Sequence, residues 1–298
     1  INLNSKSVIR SILRLKGLID EFKPDVCLAT ISHTNIALYF ASILAKHNSK
    51  IFLRESNNLF ESINYKNFIY RFIFISLVKF SYRRNILISP SKKLTQAIRK
   101  SFDIKEKIFT IENPITIENN QKIYRKKYDF INIASLTFQK DHITLLKAFK
   151  IALSKKKNLK LLIIGEGILK FKIMKFIINN KLNNNVTIIK NNKKIFKYLS
   201  ESKNFILTSK YEGYPNVLLD AAISKIPIIS TDCKFGPTEI LDYGRYGKLF
   251  KVGDYIKLSQ LMISKKNSIK VIPIHKLKKN RIDIVSAKSY ELFFKKYI

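Results

Sequence analysis

The chain has 298 residues, of which 46% are hydrophobic, enough to form real cores, and this excludes a globally disordered protein. With only 8 Gly and 7 Pro, it is also neither collagen-like nor of low complexity. The 56 Lys and Arg against 21 Asp and Glu give a formal net charge of +35, which predicts a polyanionic partner: nucleic acid, an anionic membrane or a phosphorylated ligand. Because Lys, Asn and Ile crowd the whole chain, part of this charge reflects its general composition.

The few cysteines and histidines limit the metal and redox chemistry open to the protein. Cys27 and Cys233 lie far apart and the four histidines are scattered, so the sequence predicts a reduced, cytoplasmic protein without a disulfide framework or a metal site. No apolar run reaches the roughly eighteen residues that a membrane span requires. The chain starts at Ile1 and opens directly on a helical pattern, from which we expect that an N-terminal piece is missing.

The predicted elements alternate between helices and strands along the chain. Apolar residues recur at helical spacing from Val8 to Phe22, and Pro24 ends that helix because the residue before a proline is pushed out of the α region. Ten short apolar runs then predict strands buried on both faces, hence parallel sheets covered by helices, which is an α/β fold. These runs are Val26–Ile31, Lys50–Arg54, Ile86–Ser89, Lys107–Ile111, Phe130–Leu136, Leu161–Gly165, Val186–Lys190, Asn204–Ser209, Pro227–Thr231 and Lys248–Val252.

The segment Asn113–Tyr128 breaks this alternation with a proline, a polar tract and a basic run. It predicts a linker between two doubly wound, Rossmann-like domains. We expect the first domain over residues 1–118, with the last helix at 284–298 packing back on it, and the second over 119–283. Two such domains would face each other across a cleft, with ligands at the carboxyl ends of the strands.

The most informative stretch runs from Thr208 to Leu241, TSKYEGYPNVLLDAAISKIPIISTDCKFGPTEIL. Its first loop ends with Pro215 and Asn216, and these residue types suit the opening and the cap of a helix. N–H groups left unpaired at such a helix start offer partial positive charge to a phosphate, and Gly213 lets the backbone come close to it. The loop therefore predicts an anion site.

Two acids flank this predicted anion site, Glu212 in the loop and Asp220 in what we expect to be the first helical turn. Carboxylates do not bind phosphate, but they accept hydrogen bonds from hydroxyls, as the ribose-binding acid of dinucleotide folds does. A phosphate cradle with an acid on each side fits a ligand with hydroxyls at both ends of a diphosphate, and a nucleotide-sugar has that shape.

The same stretch resembles the E-x7-E region of retaining glycosyltransferases of family four, which have the GT-B fold. Ordered matches extend over nearly the whole chain, and together they are far more specific than any one alone. In the second half they are INIASLTFQKDH at 131–142, LIIGEG at 162–167 and CKFGPTEIL at 233–241; in the first half, residues 24–35, RESN at 54–57, SPS at 89–91 and ENP at 112–114 resemble the acceptor-side domain of members that build cell-surface polysaccharides.

The resemblance implies a role for each matching residue of the second, donor-binding domain. Glu212 would contact hydroxyls of the donor sugar, Asp220 would hold the ribose and Lys140 would pair with the donor diphosphate. No metal or other cofactor is implied, because a basic residue and a helix dipole neutralise the leaving diphosphate. Backbone amides around Gly213, Tyr214, Pro215, Asn216, Val217 and Leu218 would complete the phosphate site, and Gly165 and Gly167, with the turn after Val186–Lys190, would border the base.

Four departures from the family pattern keep a degenerate, non-catalytic relative open as an alternative. Asp220 stands where the family has Glu, Ser135 where it usually has Arg beside the diphosphate, and Lys190 where glycine is common. Losing the Arg removes a charge-assisted contact to the diphosphate. The family's first strand and acceptor loop have no counterpart before Ile1, so the resemblance implies an incomplete N-terminal domain.

The acceptor-side candidates of the first domain are His33, Asn35, Arg54 and Glu55. His33 follows a predicted strand and either orients an acceptor hydroxyl or is structural. Arg54 and Glu55 either contact substrate or pair with each other. Ser32 or Thr34 could simply cap the following helix.

The stretch Tyr65–Arg84 interleaves Phe and Ile with Lys and Arg. This composition is typical of a helix in an anionic membrane interface, and equally of a domain helix with its apolar side buried.

Together these patterns predict a retaining transferase that moves a hexose or N-acetylhexosamine from a nucleoside diphosphate sugar, uridine-linked, to a cell-envelope glycan or lipid-linked acceptor. It would be cytoplasmic, with peripheral contact on the inner membrane face. The alternative class is a basic polyanion-binding or membrane-binding protein. Nucleic acid is not an expected partner, because the basic residues are dispersed and no nucleic-acid motif occurs.

Overall fold

The computed structural model describes residues 8–57, 59–64, 66–104, 107–115, 124–190, 194–264, 269–273, 277 and 283–297. The chain forms two compact units: unit 1 comprises Ile1–Pro114 and Asp283–Ile298, and unit 2 comprises Ile115–Ile282. The middle of the predicted linker (116–123), Tyr65 at the start of the aromatic and basic stretch, and Ile298 lie outside the described residues.

Unit 1 is built on a parallel sheet of four strands in the order β1-β2-β3-β4. Helices connect successive strands, as parallel pairing requires. The strands are β1 (Val26–Thr30), β2 (Lys50–Arg54), β3 (Ile86–Ser89) and β4 (Ile108–Thr110), and the helices are α1 (Val8–Phe22), α2 (Ser32–Leu44), α3 (Leu59–Ile63), α4 (Phe68–Arg84) and α5 (Lys92–Phe102).

Unit 2 is built on a parallel sheet of six strands in the order β10-β9-β8-β5-β6-β7. The strands are β5 (Tyr128–Ile133), β6 (Leu161–Ile164), β7 (Val186–Ile189), β8 (Ser202–Leu207), β9 (Ile228–Thr231) and β10 (Lys248–Phe250). The helices are α6 (His142–Lys155), α7 (Lys170–Asn179), α8 (Ile195–Ser200), α9 (Asn216–Ile223), α10 (Pro237–Ile240) and α11 (Tyr255–Ile263).

The predicted α/β class with parallel sheets is confirmed, and each of the ten predicted strands coincides with an observed one. Their ends differ by a few residues: β5 begins at Tyr128 and ends at Ile133, and β10 ends at Phe250. Strands β3, β6 and β9 are buried at every position, which is why their sequences show no polar alternation.

A last helix, α12 (Asp283–Lys295), belongs to unit 1 although it follows unit 2 in the chain. Phe294 lies 4.7 Å from Phe52 between ring centroids, and Phe293 lies 4.9 Å from Phe109. Such edge-to-face aromatic packing adds to the free energy of burial. An aromatic face of α12 therefore covers one side of the unit 1 sheet.

Candidate functional site

The strand order of unit 2 reverses at β5, which pairs with β6 on one side and with β8 on the other. In open α/β sheets, ligands bind outside the carboxyl ends of the strands at such a switch point. The loops that leave β5, β6 and β8 there contain Lys140, Gly165, Gly167 and Glu212. The topology therefore gathers these predicted site residues at one edge of the sheet.

Lys140 and Glu212 form an ion pair at this edge. Nζ of Lys140 donates to Oε1 of Glu212 at 2.5 Å, and the two side chains are only 18% and 7% exposed. The Coulomb attraction within an ion pair so shielded from water is stronger than within an exposed one. The loss of hydration by both charges offsets part of that attraction. The sequence assigned these residues to separate parts of a ligand, and in this structure each is the other's partner.

Three further hydrogen bonds hold the β5 and β8 loops together around that pair. The N–H of Lys210 donates to the Gln139 carbonyl at 2.8 Å, Nε2 of Gln139 donates to the Tyr211 carbonyl at 2.9 Å, and Oγ1 of Thr208 donates to the Lys140 carbonyl at 2.9 Å. The sequence analysis missed Gln139 and Thr208. Their position, as polar residues just past neighbouring buried strands, is the signal that could have identified them.

The start of α9 differs from the prediction in three ways. Pro215 is the N-cap and Asn216 is the first helical residue, because the backbone of Pro215 is extended, with φ of −74° and ψ of 101°. The N–H of Leu218 is bound to the Pro215 carbonyl at 3.0 Å, and Pro215 has no N–H, so these two residues offer no amide to a phosphate. Asp220 consequently lies in the second turn of α9, not the first.

Asp220 makes no hydrogen bond or ion pair with Lys140 or Glu212 within the described part of the chain. Burial raises the pKa of its carboxyl to about 6. Cys233 lies in the loop after β9, and burial, followed by the charge of Glu212, raises the pKa of its thiol to about 12. An activated cysteine has a lowered thiol pKa, so Cys233 is not a candidate nucleophile.

Glycines pack these loops against one another. A Cβ on Gly165 would lie 1.9 Å from the Ala134 carbonyl oxygen, and one on Gly167 would lie 2.6 Å from the Leu136 carbonyl oxygen. The structure thus gives both glycines a packing role beside the β5 loop, and their predicted contact with a base stays a prediction.

Two predicted residues around this edge are exposed. Ser135 follows β5 and lies on the surface, and Nζ of Lys190 lies 3.3 Å from Oε1 of Glu166, with the two side chains 75% and 55% exposed. Tyr214, by contrast, packs in the hydrophobic core beside Leu218, and Val217 lies against that core.

His142, which the sequence analysis did not select, begins α6 directly after this loop. Its ring is 2% exposed, and neither ring nitrogen has a hydrogen-bond partner in the described residues. Burial, and to a lesser extent the charge of Lys140, lowers the pKa of His142 to about 4. The imidazole is therefore neutral at physiological pH. No group of His, Cys, Asp and Glu suited to holding a metal ion occurs among the residues that the structure describes.

Two of the four acceptor-side candidates of unit 1, Glu55 and Asn35, are buried and form hydrogen bonds with neighbouring residues. Glu55, 2% exposed, accepts hydrogen bonds from Ser32 Oγ at 2.5 Å and from Tyr82 OH at 2.6 Å. Nδ2 of the fully buried Asn35 donates to Tyr82 OH and to the Arg54 carbonyl, each at 3.1 Å. These bonds hold the loop after β2, and contact of Asn35 or Glu55 with an acceptor stays a prediction.

The other two candidates, Arg54 and His33, make hydrogen bonds with residues other than Glu55. Arg54 pairs with neither Glu55 nor any other described acid; its guanidinium donates to Tyr290 OH at 3.0 Å and to Oδ1 of Asn113. His33 is exposed, and its Nε2 lies 3.1 Å from Tyr70 OH. Ser32 does not cap α2, since Ile31 occupies the N-cap, and Thr34 Oγ1 bonds back to main-chain carbonyls.

Helix α4 has both a buried and an exposed apolar face. Its buried side contains Phe74, Val78 and Tyr82, as in an ordinary domain helix. On its first turns, Phe68, Ile69, Phe72 and Ile73 are 80%, 70%, 65% and 52% exposed. In the described ranges, no helix has the length and hydropathy needed to cross a bilayer.

Comparison with known proteins places these features in a family. Residues 115–269 match the family model described as "Glycosyl transferases group 1". An uncharacterised glycosyltransferase of Methanocaldococcus jannaschii is 33% identical over 270 residues, which are 81% of this chain and 66% of that protein. N-acetylgalactosamine-N,N'-diacetylbacillosaminyl-diphospho-undecaprenol 4-alpha-N-acetylgalactosaminyltransferase of Campylobacter jejuni is 29% identical over 63% of this chain and 52% of its own length.

Among solved structures, a mutant of Staphylococcus aureus TarM in complex with fondaparinux, alpha-GlcNAc-glycerol and UDP superposes with a TM-score of 0.72. The identity is 20%, over 98% of this chain and 56% of that one, so this likeness concerns the fold. The chain spans between about half and two thirds of the lengths of these relatives.

Proposed function

The chain belongs to the glycosyl transferases group 1 family, and on that premise we propose that it transfers a hexose or N-acetylhexosamine from a nucleoside diphosphate sugar to a cell-envelope glycan or a lipid-linked acceptor. The presence of UDP in the TarM complex supports a uridine-linked donor. The Campylobacter relative, named for a diphospho-undecaprenol acceptor, supports a lipid-linked one. Retention of the anomeric configuration is proposed from the family resemblance.

The Lys140–Glu212 pair is the observation that carries this proposal. It joins the loops after β5 and β8, at the sheet edge where α/β folds bind ligands. A donor diphosphate offers the Lys140 ammonium an anionic partner in place of Glu212. The carboxylate, released from Lys140, can then accept hydrogen bonds from sugar hydroxyls. One rearrangement thus gives both residues the roles that the resemblance implies.

In the transfer step, the bond between the anomeric carbon and the diphosphate oxygen breaks and negative charge develops on the leaving oxygen. The acceptor hydroxyl oxygen forms the new bond to the anomeric carbon, and its proton passes to the leaving diphosphate. A cation already fixed beside that oxygen stabilises the developing charge without reorganisation. Lys140 supplies it in our proposal, and no metal is needed. Asp220, on α9, accepts hydrogen bonds from the ribose hydroxyls.

We also propose that unit 1 contacts an anionic membrane through the first turns of α4. The exposed side chains Phe68, Ile69, Phe72 and Ile73 form an apolar surface next to Lys66 and Arg71. Apolar side chains that enter the acyl boundary, flanked by cations that reach the headgroups, are typical of interfacial helices. A lipid-linked acceptor would be presented at such a surface.

The proposed transfer reaction predicts that Glu212→Gln loses donor turnover. Hydrolysis of UDP-glucose and UDP-N-acetylglucosamine, followed as UDP release, should fall at least about a hundredfold, because a charged acceptor for the sugar hydroxyls is lost. Glu201→Gln is the matched control. Glu201 is also a buried acid paired with a lysine, Lys127 at 2.8 Å, but it lies at the amino end of β8.

Equal activity in Glu212→Gln and Glu201→Gln would contradict the assignment of the site. Calorimetric binding of either nucleotide-sugar without any turnover by the wild type would instead support the non-catalytic alternative, which the exposed Ser135 in place of an arginine favours.

A further inference from the structure

Unit 1 contains a pocket of about 520 Å³ that plays no part in the proposed transfer reaction. It lies where β2, β3 and β4 begin, since its lining includes Lys50, Ile86 and Lys107. Functional loops of α/β sheets leave the opposite, carboxyl ends of the strands. Strands of three to five residues at about 3.3 Å per residue separate the two ends of the sheet by roughly 10–17 Å. The pocket therefore lies at the end of the unit 1 sheet opposite to the loops that follow the strands.

The charge of the lining has one sign. Lys50, Arg84 and Lys107 contribute three cations, and no Asp or Glu lines the pocket among the described residues. The polar side chains of Asn48 and Asn85 stand beside them. Arg and Lys donors in this number suit a phosphate, which takes several charge-assisted hydrogen bonds at once.

The apolar part of the lining suits an organic group. Ile51 and Ile86 are each 8% exposed, and the half-buried rings of Phe109 and Tyr297 meet edge to face at 6.2 Å between centroids. The volume falls within the roughly 300–1,000 Å³ of small-molecule sites. A free inorganic ion would leave this apolar surface unused.

One effect opposes an anion here. Helices α2 and α4 both end at this edge, and helix C-termini carry partial negative charge. Arg84 offsets part of it, because its Nη1 donates to the Phe80 carbonyl at 3.3 Å while its guanidinium stacks on the Phe80 ring at 3.6 Å. The full charges of Lys50 and Lys107 then exceed the remaining partial charge.

We propose that this pocket binds a small organic phosphate, a phosphate ester with an aromatic or apolar group, at a site distinct from the donor site. The phosphate lies against Lys50, Arg84 and Lys107, and the organic group lies on Phe109 and Tyr297. The test uses phenyl phosphate and methyl phosphate as probes, titrated calorimetrically into the full chain.

Phenyl phosphate should bind with a Kd below about 1 mM, and methyl phosphate at least about fivefold more weakly, because only the former uses the apolar wall. The variant Lys50→Gln/Arg84→Gln/Lys107→Gln should weaken phenyl phosphate binding at least about tenfold. The control Lys92→Gln/Arg99→Gln/Lys100→Gln removes the same three charges from α5, which does not line the pocket, and should change the Kd by less than about twofold.

Three results would overturn the proposal: no binding of phenyl phosphate, equal weakening in both triple variants, or unchanged binding in the pocket variant. The second would mean that bulk charge alone attracts the probe, and the third that the probe binds elsewhere. The single variant Lys107→Gln, expected to weaken binding about threefold, repeats the test should the triple variant misfold.

Discussion

Asp220 shows how burial changes the chemistry of a single carboxyl group. Its pKa rises from 3.8 to about 6 because desolvation penalises the charged form. The folded state therefore binds this proton more tightly than the unfolded state. The stability that Asp220 contributes is present at low pH and is lost as the pH rises from 3.8 through about 6. At neutral pH the group is ionised, and a half-buried carboxylate is a strong acceptor for ribose hydroxyls.

This ionisation predicts a pH dependence of donor affinity. The affinity for UDP-glucose, whose diphosphate is esterified at both ends, should rise about threefold to tenfold as the pH passes through about 6, because a carboxylate accepts stronger hydrogen bonds than a carboxylic acid. Calorimetric titrations at successive pH values measure it. In Asp220→Asn the rise should disappear, whereas Asp254→Asn, at the N-cap of α11, should retain it. The same rise in Asp220→Asn would rule out the ribose assignment.

At the scale of elements, the start of α9 depends on the loop that precedes α10. Gly236 has φ of +89°, and a Cβ at this position would lie 2.4 Å from Cδ of Pro215, the N-cap of α9. Only glycine combines that backbone conformation with so close an approach. The loop after β9 therefore fixes where α9 begins, and with it the loop that contains Glu212.

A pair of glycine substitutions separates this packing from backbone strain. Gly253 has a similar φ of +81°, yet a Cβ there would meet nothing within 4 Å. Gly253→Ala should cost about 1 kcal/mol, the left-handed strain alone, whereas Gly236→Ala should cost at least about 2 kcal/mol more and weaken UDP-glucose binding about tenfold. Urea unfolding and calorimetry measure the two effects. Equal losses in both variants would show that the contact with Pro215 has no energetic weight.

At the scale of the whole molecule, unit 1 is formed by two segments of the chain, one before unit 2 in the sequence and one after it. The aromatic residues of α12 cover Phe52 and Phe109, and Tyr290 accepts a hydrogen bond from Arg54. Unit 1 also presents the apolar first turns of α4. In a chain with a net charge of +35, long-range attraction to an anionic surface would add to the contact that we propose for α4.

Vesicle binding tests the membrane proposal. Cosedimentation with vesicles containing anionic phosphatidylglycerol at physiological salt should capture the wild type, and Phe68→Ser/Phe72→Ser should lower the partition coefficient at least about tenfold, because two exposed rings no longer enter the interface. The control Phe171→Ser/Ile178→Ser removes two apolar side chains of similar exposure from α7, 80% and 58% against 80% and 65% in α4. An equal loss in the control, or no capture of the wild type, would refute a contact through α4.

The strands could be predicted from the sequence, whereas the hydrogen-bond partners of individual side chains could not. The sequence patterns selected Glu212, Lys140, Arg54 and Glu55 as candidates, but the contacts of these residues depend on partners distant in the chain. Glu55 turns inward to Ser32 and Tyr82, and Arg54 turns to Asn113 and Tyr290. His142 went unnoticed because nothing in its local pattern indicates that its ring is buried.

The amino-acid sequence by itself determined the α/β class and the ten strands, and so also that Lys140, Gly165 and Glu212 follow strands. These follow from short apolar runs, and hydrophobic burial acts on each run through its own composition. Only the tertiary structure decided that Lys140 pairs with Glu212, 72 residues away, and that Glu55 turns inward to Ser32 and Tyr82. A hydrogen bond or ion pair depends on distances of a few ångströms, and those distances are set when separate elements pack together.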